Sequence, residues 1–160
     1  TARSFPAAYA KTQLAISYEL PPAGTVFISV ADRDKRSIIS IARDFERLGF
    51  DVVSTAGTAK ALHASGIACQ VVSKVSEPSP HIVDLMAAGK VQLVINTPYG
   101  NGSRGDGYRL RTAAVRYGIP YATTIAAAQA LAQAMEALRR ETLEPVALQD
   151  FPARPAGGAV

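Results

Sequence analysis

Apolar residues along this chain gather in short β-branched blocks separated by longer amphipathic stretches. The first block, Thr25-Val-Phe-Ile-Ser-Val30, reads as a buried strand. Residues 33–48 follow it, and there Ile38, Ile41, Ala42, Phe45 and Leu48 recur at helical spacing until Gly49 closes the run. The alternation then repeats: strand 51–54 with helix 56–64, strand 69–74 with helix 81–88, strand 91–96 with helix 108–117, and strand 120–123 with the alanine-rich helix 125–140. Units of this kind predict parallel strands joined by right-handed crossovers, hence a doubly wound, five-stranded parallel α/β sheet between two layers of helices. The ends read differently. Residues 9–18 place Tyr9, Leu14, Ile16 and Tyr18 on a short helix that stops at Pro21-Pro22. Residues 1–23 are therefore expected to be a helix and linker from a preceding domain, 24–150 the domain itself, and 151–160, rich in Pro, Gly and Ala, a flexible tail.

Composition narrows the classes. A chain of 160 residues suits a single domain with one full core. Its longest apolar runs, such as residues 91–95, are far too short to cross a bilayer, no signal peptide is seen, and a cytoplasmic setting is expected. The one cysteine, Cys69, has only His63 and His81 as soft co-ligands, which argues against structural zinc and reads as a small buried hydrophobe. A net charge of +4 with dispersed basic residues, few aromatics and no tryptophan suits a small anionic ligand better than nucleic acid.

Ligands of doubly wound sheets bind beyond the carboxyl ends of the strands. At the second of these ends stands Ser54-Thr-Ala-Gly-Thr-Ala59, where a strand closes on hydroxyls and a glycine and opens a helix. Backbone N–H groups, the helix dipole and the hydroxyls of Thr55 and Thr58 would form an anion cup there, with helix capping by Ser54 or Thr55 as the alternative. The neighbouring ends carry matching chemistry, in Ser29 to Lys35, in Ser73-Lys74 and in Asn96-Thr97. Together Ser29, Lys35, Thr55, Gly57, Thr58, Lys74, Asn96 and Thr97 form a candidate phosphate site. Lys35 falls in a first helical turn, which disfavours a cation unless an anion offsets it. His81 is expected to cap or pack, and Asp106, in the glycine-rich loop 97–107, has either a turn role or a ribose-hydroxyl contact. The rim offers no nucleophile with its base and no carboxylate pair with separated roles, and the chain has neither a Rossmann glycine fingerprint nor a Walker loop.

These residues carry a family resemblance. Ser29-Val-Ala-Asp-Arg-Asp-Lys35, Ser54-Thr-Ala-Gly-Thr-Ala59, Val72-Ser-Lys-Val75, Pro80-His-Ile-Val-Asp84 and Val94-Ile-Asn-Thr97 resemble, in order and spacing, the methylglyoxal-synthase-like fold, and specifically the C-terminal regulatory domain of carbamoyl phosphate synthase large subunits. The resemblance covers about residues 2–149, and residues 3–13 are similar to the end of the preceding ATP-grasp domain. It implies an allosteric nucleotide-binding domain, itself without catalytic residues, of a glutamine-hydrolysing, ATP-dependent ligase of pyrimidine and arginine biosynthesis. By resemblance the eight residues above hold the phosphate of a nucleoside monophosphate, UMP as inhibitor or IMP as activator, while Arg104 and Asp106 face ribose and base. Thr123 and Thr124 mark the region of ornithine-regulated members, with Ala122 where those members have an aspartate and Pro98 where some members have a threonine. The implied partners are the rest of the large subunit and a glutamine amidotransferase small subunit, with self-association open; no nucleic acid or membrane is among them. No cofactor or metal is expected in the domain, and ATP with Mg or Mn belongs to the parent enzyme. The alternative is a phosphosubstrate enzyme of the same fold. Methylglyoxal synthase, however, needs a Gly-Asp motif near the third helix where this chain has Pro78-Ser-Pro-His-Ile-Val83. IMP cyclohydrolase relatives share Ser29-Val30 and Gly57-Thr-Ala-Lys60 but differ at Lys74-Val-Ser-Glu-Pro-Ser-Pro-His81.

Overall fold

A computed structural model describes residues 4–15, 20–97 and 105–140. The apolar blocks form strands β1 (Gly24–Ser29), β2 (Phe50–Ser54), β3 (Gln70–Val71), β4 (Leu93–Asn96) and β5 (Tyr121–Ala122). The helices are α1 (Phe5–Ala15), α2 (Lys35–Arg47), α3 (Ala56–Ala64), α4 (Ile82–Ala87), α5 (Asp106–Arg116) and α6 (Ile125–Arg140), with a 3₁₀ turn, Asp32–Asp34, ahead of α2. All strand pairings are parallel, in the order β3-β2-β1-β4-β5.

Strand periodicity divides the core. In β1, Val26 and Ile28 point into a cluster with Ile38, Ile41 and Phe45 of α2, Leu62 of α3, and Leu131 and Met135 of α6. Phe27, between them, points the other way, toward Ile82 and Met86 of α4 and Leu110 and Ala114 of α5. Right-handed crossovers through α2 and α3 carry the chain outward from β1 to β3 on one face, and those through α4 and α5 carry it the opposite way on the other. The winding therefore reverses between β1 and β4, the point of such a sheet at which ligands bind.

Helix α2 shows how the sequence sets its own limits. Its buried stripe, Ile38, Ile41, Ala42 and Phe45, follows the helical period, and the Phe45 ring meets Phe50 edge-on with centroids 5.7 Å apart. Gly49, at φ 74°, ends it in the left-handed conformation, its N–H donating to Glu46 O at 2.8 Å.

Several boundaries differ from those the sequence predicts. β3 is only two residues long because it is an edge strand pairing with the last residues of β2, Val53 and Ser54. Beyond it Ser73 makes an isolated bridge to His81. β4 starts at Leu93, and Gln92 just before it is tied to β1 by backbone and side chain together: its N–H donates to Thr25 O at 2.9 Å, its Oε1 accepts the Thr25 N–H at 2.8 Å, and its Nε2 donates to Gly89 O at 2.7 Å. Gly24 leaves room for that amide, because a Cβ there would fall 2.5 Å from Gln92 Oε1. α5 begins at Asp106, which is thus a helix residue instead of a loop residue. α1 lies against α6, with small residues buried on both, Ala7 and Ala10 on one and Ala130 and Ala134 on the other. Ile16 and Tyr18 lie outside the described residues, as do the side chain of Leu14 and the whole of 151–160.

Phe45 is fully buried in the larger cluster, so Phe45→Ala should destabilise the chain by about 3–5 kcal/mol. Urea denaturation reads this as a lower midpoint at unchanged slope, and a loss well under that range would contradict the packing described.

Candidate functional site

The site is built where β1 runs out of ladder. At the carboxyl end of β1 and in the two residues beyond it, side chains from the neighbouring strand ends bond to the backbone. Ser54 Oγ donates to Ile28 O at 2.7 Å, the Val30 N–H donates to Thr58 Oγ1 at 3.1 Å, and the Ala31 N–H donates to Thr97 Oγ1 at 2.9 Å. Thr55 Oγ1 lies 3.1 Å from Ser29 Oγ. Ser54, Thr55, Thr58 and Thr97 are buried, as hydroxyls can be when their lone pairs are in use. A threonine that accepts a backbone N–H still has its own proton to donate, and Thr58 and Thr97 therefore present donors to the space above the sheet. Thr55 stands at the N-cap of α3 in extended conformation without a side-chain cap bond, so simple capping is not its role. The first-turn N–H groups of Ala56 and Gly57 have no intrahelical acceptor and carry the positive end of the dipole.

Above these groups opens a cleft of about 600 Å³. Ser29, Lys35, Thr55, Gly57, Thr58, Lys74, Asn96, Thr97 and Asp106 all line it. Arg104 lies outside the described residues. Thr123 and Thr124 follow β5 and do not line the cleft; Thr124 Oγ1 instead accepts the Ala127 N–H at 3.1 Å, capping α6.

The charged groups of the cleft have different partners. Lys35 Nζ is 2.7 Å from Asp32 Oδ1, and this neighbour holds the Asp32 carboxyl below the usual carboxylate range, first by its hydrogen bond and then by its charge. Asp106 Oδ2 accepts from Ser76 Oγ at 2.9 Å, and Arg109 Nη1 donates to Val75 O at 3.1 Å, which joins α5 to the segment after Lys74 and closes one wall. Asn96 Nδ2 donates to the Tyr121 hydroxyl at 2.9 Å, while burial pushes that phenol's pKa up against the opposing hydrogen bond. A Cβ on Gly107 would come within 3.2 Å of the same amide nitrogen. Phe27, Val75, Ile82 and Leu110 give the cleft an apolar wall.

Sequence reasoning missed Asp32, Gly107 and Tyr121. Only Asp32 left a local signal, its spacing three residues before Lys35. His81 heads α4 and does not line the cleft; Asp84 accepts its N–H at 2.8 Å and the Ser79 hydroxyl at 2.6 Å. Cys69 is half-exposed, not buried, because it precedes the exposed edge strand, and its Sγ is 3.2 Å from His63 Nε2. Burial, then the charge of Glu46, pushes its thiol up. Among the described residues no three His, Cys, Asp or Glu side chains gather as a metal site.

Thr58→Val should leave the buried Val30 N–H unpaired and destabilise the protein by about 1–3 kcal/mol, whereas Thr58→Ser should retain most of the stability in the same denaturation experiment. A second expectation concerns acid. The Ser79 hydrogen bond, then the His81 N–H, lower the Asp84 pKa from 3.8. A depressed folded-state value means the stabilisation is present above 3.8 and lost as pH falls through the lowered one. Asp84→Asn should therefore be less stable than the parent at neutral pH, and the gap should close in that acid window; a gap independent of pH would contradict it.

Comparison with known proteins places this geometry. A family model described as the MGS-like domain matches residues 37–123. The chain is 53% identical over 150 residues to the carbamoyl phosphate synthase large chain, C-terminal section, of Methanopyrus kandleri, covering 93% of this chain and 28% of that protein. It is 46% identical over 153 residues to the section of the same name from Methanocaldococcus jannaschii, covering 95% and 25%. Against the carbamoyl phosphate synthase large chain of Pseudarthrobacter chlorophenolicus it is 45% identical over 156 residues, covering 94% and 14%. The chain thus spans little more than a quarter of these relatives' length at most. The crystal structure of ForH superposes with a TM-score of 0.44 at 17% identity, over 72% of this chain and 91% of that one. The family model covers more than half of the chain, from the body of α2 to the end of β5, and the chain belongs to the MGS-like domain family.

Proposed function

We propose that this chain is the effector-binding section of a carbamoyl phosphate synthase large chain, and that its cleft takes the phosphate of a nucleoside monophosphate. The observation that carries the reading is convergence: two lysines and the hydroxyls of Ser29, Thr55, Thr58 and Thr97 come from different strand ends to one cleft at the sheet's switch point. A phosphate seated over Gly57 would meet the dipole of α3, the threonine donors and the ammonium groups of Lys35 and Lys74. The cleft is larger than a phosphate needs, and its apolar wall suits a base while Asp106 suits a ribose hydroxyl.

The names of the relatives support the wider setting. In it the chain is cytoplasmic, joined to the rest of a large chain that works with a glutamine amidotransferase, and ATP with Mg or Mn serves the parent ligase of pyrimidine and arginine biosynthesis. The effector would act by binding one state of that enzyme better than another, a coupling typically of about 1–3 kcal/mol.

Thermal shift with UMP, IMP, ornithine and inorganic phosphate tests the reading. A nucleotide at a hundredfold excess over its dissociation constant should stabilise the chain by about 2.7 kcal/mol. Lys35→Ala and Lys74→Ala should each weaken that binding by about 1.5–3 kcal/mol. No shift with any nucleotide or with phosphate would overturn it, as would turnover of dihydroxyacetone phosphate or a formylated purine nucleotide by the chain alone.

A further inference from the structure

Lys35, the residue that opens α2, already has an anion. Asp32 Oδ1 stands 2.7 Å from its ammonium nitrogen, and both residues line the cleft. Their exposure is unequal: the lysine side chain is 29% exposed and the aspartate 80%, so the ammonium belongs to the wall while the carboxylate stands in the open mouth. The ammonium also lies 3.7 Å from the Cβ position of Gly57, beside the first turn of α3. Two helix N-termini, those of α2 and α3, thus flank one cation, a combination that disfavours the charge unless an anion is near. Asp32 supplies that anion from within the chain.

We propose that Asp32 is an internal counter-ion that occupies Lys35 in the empty cleft and is displaced when a phosphate monoester enters. The proposal rests on the phosphate reading of the cleft and deepens it. An exposed ion pair is weak enough to be exchanged, so the contact lowers affinity without closing the site. Once displaced, the carboxylate stays tethered three residues away and repels the incoming charge, more strongly for a dianion than for a monoanion. A neutral ligand feels neither effect. Asp32 therefore sets the threshold that the remaining contacts of a ligand must overcome, and a bare anion meets it with the fewest contacts.

The test is titration calorimetry of the chain and its Asp32→Asn variant with methyl phosphate as the dianion, dimethyl phosphate as the monoanion and uridine as the neutral probe. Asp32 is exposed, so the variant should fold as the parent does, which a denaturation curve checks. Methyl phosphate should bind the variant roughly 3- to 10-fold more tightly, dimethyl phosphate should gain less, and uridine should not change. In a Lys35→Met background the gain from Asp32→Asn should shrink. Unchanged or weaker methyl phosphate binding in Asp32→Asn would overturn the proposal and make Asp32 a residue that orients Lys35, and an equal gain for uridine would overturn it too. If neither the parent nor the variant binds either phosphate ester, the phosphate reading itself falls, and this inference with it.

Discussion

Everything above the sheet depends on how the backbone of β1 is satisfied where its two neighbours part. Inside the ladder β1 pairs with β2 and β4, and the helices that follow those two strands pack on opposite faces of the sheet. Ile28 O and the N–H groups of Val30 and Ala31 then need partners in a place that water does not reach. Ser54, Thr58 and Thr97 provide them. A buried hydroxyl is the right instrument because it can pair with a backbone group on one side and keep a proton or lone pair on the other. Of these, Thr58 and Thr97 also line the floor of the cleft, while Ser54 stays beneath it.

Electrostatics follow from that floor. The strand ends fix where α2 and α3 begin, so two positive helix ends point into one space, and Lys35 adds a full charge. The carboxylates in the cleft are both engaged, Asp32 with Lys35 and Asp106 with Ser76. Engaging them differently matters: Asp106 is tied to the opposite wall and shapes the cleft, whereas Asp32 is tied to the group an anion would use. Asn96 shows a third arrangement, its amide donated to the Tyr121 hydroxyl behind the cleft and given close quarters by Gly107.

Much of this was legible in the chain because the informative residues lie next to the signals that reveal them. Buried-strand blocks locate the strand ends, the hydroxyls and lysines follow each block directly, and α3 is found with the bounds observed, 56–64. What escaped depends on partners distant in sequence. The length of β3 is decided by how far β2 runs beside it, and the approach to β4 is fixed by Gln92, whose backbone and side chain both bond across to Thr25. Asp106 reads as a loop residue because glycines surround it, yet Gly105 serves as the N-cap of α5 and Ser76 holds the carboxylate in place. Tyr121 enters through its hydroxyl alone, a contact no local pattern predicts. Thr124 looks like a site residue next to Thr123, and the backbone of α6 takes its hydroxyl.

Helix α2 also carries the floor to the opposite end of the molecule. Its first residue, Lys35, faces the cleft, and past its last turn Leu48 O accepts from the guanidinium of Arg139 on α6. The same nitrogen donates at 2.6 Å to Pro22 O, two residues before β1. One side chain thus joins the end of α2, the last turn of α6 and the segment that enters the sheet. α1 rests on α6 through small buried side chains, so it shares that anchor. A shift of α2 along its axis cannot be absorbed by the core, where Ile38, Ile41 and Phe45 are fully buried, without strain on the Arg139 junction. Lys35 and the Pro22 carbonyl are thus held at opposite ends of α2, the first at the cleft and the second through Arg139.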